Sequence, residues 1–134
     1  MNLTLKSVSK EDYKFLYKLL KQRLKDECIS HSKLPSYKEH CKFLNSFPYI
    51  RNWVIFLDGK PIGNLYETYA SEIGLHVLGR HNNVVKEVMK AVLGVAIGLN
   101  KKIYFNINPK DKRFKSLLTN NCRLIQNTYE NILS

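Results

Sequence analysis

The chain has 134 residues, enough for one domain with its own core and too few for two, so residues 1–134 are taken as a single domain. With 44% hydrophobic residues, eight tyrosines, six phenylalanines and no repeat or low-complexity tract, the composition excludes a disordered chain. The net charge of +11 points to phosphate, whether in nucleic acid or in a phosphorylated cofactor, although lysines spread as in "LYKLLKQRLKDE" also read as solvated helix faces.

"LTLKSV" alternates as a first strand, and "SKEDYKFLYKLLKQRLKDE" follows as a helix with Ser9 as N-cap and Asp12 three residues on. Tyr13, Leu16, Tyr17, Leu20 and Leu24 recur at threes and fours, which predicts an amphipathic stripe. A second capping box, Ser36 to Glu39, opens a shorter helix in "SYKEHCKFLNSF". "NWVIFLDGKPIGNLYETYA" reads as a hairpin turning at Asp58-Gly59, with Pro61 at the start of its second strand, where a missing donor is tolerable. "SEIGLHVL" predicts a third meander strand, followed by a polar loop and a helix from about 84 to 99 with Val84, Val85, Val88, Met89, Val92 and Ala96 on one stripe. "KKIYFNIN" reads as a buried strand broken by Pro109, "KDKRFKSLLTNN" as a helix and "CRLIQNTYENIL" as a closing strand. The order β-α-α-β-β-β-α-β-α-β is that of an α+β fold, with a mostly antiparallel mixed sheet and one right-handed parallel crossover between strands near 72–78 and 102–108.

No apolar run approaches the roughly 20 residues needed to span a bilayer, and "MNLTLKSVSKEDYK" lacks the apolar stretch of a signal peptide, which predicts a cytoplasmic protein with no membrane partner. Cys28, Cys41 and Cys122 are odd in number and lack a CxxC spacing, as expected of reduced, structural thiols. His31 and His40 lie near Cys28 and Cys41, but neither His-x3-His nor Cys-x2-Cys occurs, so no metal site is expected. The chain also lacks an RNP-like aromatic strand, zinc-finger spacing and a GXXG loop, which leaves charge alone to argue for nucleic acid.

The stretches "LTLKSVSKEDYKFLYKLL", "WVIFLDGKPIGNLYE", "EIGLHVL" and "NINPKD…LLTNNCRLIQNTYE" resemble, in this order, the GNAT acyl-CoA N-acyltransferase superfamily over nearly the whole chain. "ISHSKLPSYKEH" is similar to the acceptor-side helical segment of its short members. The resemblance implies a GNAT-like fold and transfer of an acetyl group from acetyl-CoA to a primary amine, on a small molecule or a peptide. It also implies an oxyanion-type backbone donor near Val77, with Leu75, Val77 and Leu78 on the strand edge that holds the pantetheine.

In this family the pyrophosphate rests on a loop patterned Arg/Gln-x-x-Gly-x-Gly/Ala at a helix N-terminus. The matching residues are Gly79, Arg80, His81, Asn82, Asn83, Val84 and Val85, in which Asn83 and Val85 replace the small residues. A β-branched valine cannot imitate a glycine whose role is close backbone approach, so a degenerate loop with weakened acetyl-CoA binding is expected. Glu72 takes the place of a carboxylate base acting through water, or is an exposed strand glutamate. "SLLTNN" lacks the tyrosine that protonates the leaving thiolate in the family, which makes Tyr129 the substitute. Asn108 and Asp111 follow the strand that flanks the pantetheine, with helix capping as the plain alternative for Asp111. His31 and Tyr66 are the acceptor-side candidates, while His76 reads as a packed or surface histidine. The alternative function is a catalytically degenerate GNAT-fold module that binds a partner through its basic surface.

Overall fold

The structure, a computed structural model, describes residues 2–26, 33–107, 122–125 and 131–132. Among these, five strands form one sheet in the order β1 (Leu3–Ser7), β2 (Tyr49–Leu57), β3 (Lys60–Thr68), β4 (Glu72–Val77) and β5 (Tyr104–Phe105). Neighbours run antiparallel except β4 and β5, which are parallel as the sequence predicts. A parallel pair needs a crossover, supplied here by helix α3 (Asn82–Gly98). No described helix is long and apolar enough to cross a membrane.

Local signals set most element starts. The Asp12 carboxylate accepts from the Ser9 N–H at 2.9 Å and from the Ser9 hydroxyl at 3.2 Å, and the resulting 3-10 turn leads into α1 (Tyr13–Asp26). Lys6 of β1 pairs with Glu11 at 2.7 Å and Asp12 at 3.2 Å, and those two hydrogen bonds, Glu11 first, raise its pKa. Helix α2 (Tyr37–Asn45) is capped by Ser36, whose hydroxyl oxygen accepts from the Glu39 N–H at 3.1 Å. At the β2–β3 turn Asp58 and Gly59 have φ of 50° and 83°, the paired left-handed conformation that a tight hairpin requires and that Asp-Gly adopts cheaply. Ile62 is an extra residue on β3, since Ile55 faces Gly63 while Phe56 faces Pro61. This bulge lets Ile62 join the core.

The two faces of the sheet carry different helices. Leu75 and Val77 of β4 pack with Ile55, Leu65, Val84, Val85, Val88 and Met89, so α3 covers this face. His76 lies between them in sequence and therefore points to the opposite face, where it lines a cavity with Leu16 and Leu19 of α1 and Leu44 of α2.

The structure departs from the sequence reading at several points. Leu19, absent from the expected α1 stripe, is buried, because the stripe facing the sheet runs through Leu16 and Leu19. Helix α3 starts at Asn82, and Gly79–His81 is a 3-10 turn where an open loop was expected. Strand β5 spans only Tyr104–Phe105, and residues 101–107 alternate between half-buried and exposed, so the described part of "KKIYFNIN" is not a buried strand. Only Glu72 and Ile73 of β4 find partners there, and a strand ends where its ladder does. The expected helix over 110–121 lies outside the described residues. Of the expected closing strand, residues 122–125 and 131–132 are described and form none, with Leu124 and Ile125 exposed.

Candidate active site

The free edge of β4 follows from its pairing with β3. The Leu78 N–H donates to the Ile62 carbonyl at 2.9 Å. Successive amides on a strand point to opposite sides, so those of His76 and Gly74 also face β3, while those of Val77, Leu75 and Ile73 face β5. The β4–β5 ladder begins with the Tyr104 N–H donating to the Ser71 carbonyl at 2.9 Å and stops after Ile73 and Phe105. Leu75 and Val77 thus present backbone donors to an edge that described β5 residues no longer pair.

Just past the end of β4 stands the start of α3. Gly79–His81 winds tightly, the His81 N–H donating to the Leu78 carbonyl at 2.9 Å, and His81 caps α3 with no side-chain hydrogen bond. The Asn82 amide closes the 3-10 turn onto Gly79, while those of Asn83 and Val84 precede the first i→i−4 bond and carry the positive end of the helix dipole. The Val85 amide is the first with an acceptor inside the helix, at the His81 carbonyl, so Val85 leaves the set of candidate cradle donors. The first turn holds no acidic residue, and Lys86 and Lys90 are exposed beyond it.

Val85, which stands where a small residue is expected, has a different consequence from the one expected. Val84 and Val85 are each 1% exposed and pack into the core beneath α3. Their branched side chains therefore point away from the helix mouth and do not obstruct a phosphate there. Gly79 is exposed and its φ is not positive, while an added Cβ would meet only the Gln22 side-chain amide, at 3.4 Å. The close-approach role expected of a Gly-rich loop is thus not carried by residue 85, and phosphate would meet a helix N-terminus instead. The first-turn amides and nearby lysines fit a nucleotide-bearing thioester, as does the β4 edge that no described residue pairs beyond Ile73.

On the α1/α2 face a cavity of about 90 Å³ is lined by leucines together with His40, Tyr49, Asn64, Tyr66 and His76. Both ring nitrogens of His76 and Nε2 of His40 are shielded from solvent. Asn64 is locked by donating to Asn52 Oδ1 at 2.7 Å and to the Trp53 carbonyl at 2.8 Å. Tyr49 and Tyr66 stack with centroids 4.1 Å apart and 22° between planes. At the α1–α2 side, Tyr17 donates to the Pro35 carbonyl at 2.8 Å and packs edge-on against Tyr37, whose pKa is raised first by its hydrogen bond with Cys41.

Glu72 begins β4 on this same face. Its N–H donates to Thr68 Oγ1 at 3.1 Å, and its Oε2 accepts from Asn106 Nδ2 at 3.0 Å. Five residues separate it from Val77, about 16 Å along an extended strand, so the two cannot serve one reacting atom. Gly74 and Leu75 lie between.

Sequence reasoning missed three contributors. Asn106 holds the Glu72 carboxylate, and its only signal is its position two residues before Asn108. Buried Glu67 of β3 pairs with Lys101 from the α3–β5 connection and lies 3.6 Å from Arg51, which ties the entry of β5 to the sheet. Gly74 makes room for the Tyr66 ring. His31, Asn108, Asp111 and Tyr129 lie outside the described residues, as does Cys28, and nothing is described of the Arg80 and Asn82 side chains. Among the described residues no group of three or more His, Cys, Asp or Glu side chains could hold a metal. Burial raises the pKa of the Cys122 thiol, which keeps it protonated and unreactive at neutral pH.

No family model and no curated protein matches the sequence. Solved structures do match in fold. A possible acetyltransferase from Clostridium difficile 630 superposes with a TM-score of 0.69 at 11% identity, covering 100% of this chain and 99% of that one. The protein yncA from Salmonella typhimurium, solved with its cofactor acetyl-CoA, gives 0.67 at 12% identity, covering 90% of this chain and 78% of its own. AAC(6')-Iy, in complex with the bisubstrate analog CoA-S-monomethyl-acetylneamine, gives 0.61 at 13% identity, covering 98% and 100%. The five-stranded mixed sheet with flanking helices is the GNAT acyl-CoA N-acyltransferase fold.

Proposed function

We propose that the protein is an acetyl-CoA-dependent N-acetyltransferase acting on a primary amine of a small molecule or peptide. The observation that carries this reading is the β4 edge, where the amides of Leu75 and Val77 point to the β5 side, no described β5 residue pairs with them, and the strand ends at the N-terminus of α3. Acetyl-CoA would supply an activated acetyl thioester. The amides of Asn83 and Val84 are placed to hold its pyrophosphate, with Lys86 and Lys90 adding charge. Val77 and Leu75 would pair with the pantetheine. Val77 is five residues from Asn82, at the phosphate end, so Leu75 takes the oxyanion role that the resemblance gives to Val77. A fixed N–H aimed at developing charge needs no reorganisation when the carbonyl is attacked. Glu72, oriented by Asn106, takes the proton of the incoming amine through water.

A second reading is a non-catalytic module that has lost acetyl-CoA and binds a partner through its basic surface. It draws on the tightly wound Gly79–His81 turn, which stands where the family keeps a small-residue loop.

Thermal melting with acetyl-CoA separates the two readings. At 100 times its dissociation constant the ligand adds about 2.7 kcal/mol. Unchanged melting at millimolar acetyl-CoA would leave the module reading standing. In the enzyme reading Glu72→Gln lowers kcat by about 100-fold and leaves acetyl-CoA affinity unchanged. Full turnover by that variant would remove Glu72 from the chemistry.

A further inference from the structure

Tyr66 and Gly74 face each other across β3 and β4. An ideal Cβ built on Gly74 would fall 2.0 Å from Tyr66 Cζ and 2.4 Å from its hydroxyl oxygen. The outer end of the Tyr66 ring therefore lies directly over the β4 backbone, a position open to it only because residue 74 has no side chain. Tyr49 stacks on the ring, which fixes it in place. A tyrosine side chain is long enough to cross one interstrand spacing of about 4.8 Å, so its hydroxyl lies over β4 rather than over its own strand. The next residue, Leu75, carries an amide that points to the β5 side, where no described residue pairs with it. Gly74 is not at a positive φ, so neither backbone conformation nor a turn calls for glycine there.

Resting on the acetyl-transfer reading, we infer that Tyr66 is the general acid of the reaction, reaching the leaving group from β3 across Gly74. Tyr66 Oη gives its proton to the thioester sulfur as the C–S bond breaks and the bond from amine nitrogen to acyl carbon forms. The proton that Glu72 takes from the amine nitrogen through water is released to solvent and replaced on the phenol from solvent, so charge and protons balance with no further reactant. This assignment gives the acid role to a residue outside the stretch "SLLTNN", which holds no tyrosine.

Tyr66→Phe keeps the stacked ring and removes only the hydroxyl. It should lower kcat by about 100-fold while acetyl-CoA affinity stays within about twofold of wild type. A binding readout independent of turnover compares CoA with desulfo-CoA by calorimetry. Wild type should prefer CoA, and Tyr66→Phe should bind the two equally. Gly74→Ala places a methyl group where the ring now lies, and should lower kcat as far as Tyr66→Phe does, with no further loss in the double variant. Wild-type kcat and wild-type preference for CoA in Tyr66→Phe would overturn the assignment and leave acetyl transfer intact. Failure of the wild-type protein to bind acetyl-CoA at all would overturn the acetyl-transfer reading, and the role of Tyr66 with it.

Discussion

Placing at position 85 the small residue of the GNAT loop pattern, as glycine, should destabilise the protein without improving acetyl-CoA binding. Val85 is 1% exposed and packs against the sheet through the main core. Truncation to glycine removes three buried carbons, worth about 2.4 kcal/mol at 0.8 kcal/mol each. Glycine within a helix costs about 1 kcal/mol more. The sum, about 3–4 kcal/mol, is a large share of the roughly 5–15 kcal/mol that holds a domain folded. For a chain of this length the melting temperature should fall by about 10 °C. Affinity should not rise, because the Val85 amide already bonds within the helix and its side chain faces the core. The assay is thermal melting of Val85→Gly beside wild type, followed by calorimetric titration of acetyl-CoA into both at a temperature where each is folded. A variant as stable as wild type that binds acetyl-CoA more tightly would refute the reasoning, since residues 79–85 would then form an open loop whose valine blocks a phosphate.

Lys101→Met leaves buried Glu67, among the described residues, with the more distant Arg51, and should cost about 1–3 kcal/mol in urea denaturation, less than the roughly 3–5 kcal/mol of breaking a fully buried pair because Lys101 is partly exposed. The same variant should speed hydrogen exchange at the Tyr104 amide, whose bond to Ser71 begins the β4–β5 ladder, and unchanged exchange would show that the pair does not hold β5. Gly59→Ala should cost about 1 kcal/mol, since its φ of 83° is strained for any side chain although an added Cβ meets no atom within 4 Å. An unaltered denaturation midpoint would mean that the turn relaxes to another conformation.

Where the sequence carried a local physical signal, the fold was legible. Asp58-Gly59 can meet the paired left-handed requirement of a tight hairpin, and the Ser36 hydroxyl with the Glu39 amide closes a cap whatever lies around it. Signals that depend on distant partners were read less well. "KKIYFNIN" has the composition of a strand, but strand length is set by the ladder, and β4 gives up its partner after Ile73. The polar run Arg80–Asn83 looks like a loop because its residues favour turns. It winds instead, because burial of Val84 and Val85 pulls the start of α3 down onto the sheet and shortens the path from Leu78.

The candidate site is harder to read because its main donors are main-chain groups. Any residue but proline could supply the N–H at 75 or 77, and only the alternation fixed by the Leu78–Ile62 bond shows which amides face the β5 side. Side chains are informative when register is known. Tyr66 and Gly74 are eight apart in sequence, and nothing in that spacing brings them together until β3 and β4 pair with these two residues opposite each other. One clue was present, since glycine inside a strand weakens it and is usually kept where another group must approach closely. "EIGLHV" carries such a glycine with no turn to explain it. The group that approaches is an aromatic ring from the neighbouring strand, so the side chain missing at position 74 and the hydroxyl supplied by position 66 form a single feature of the β4 edge.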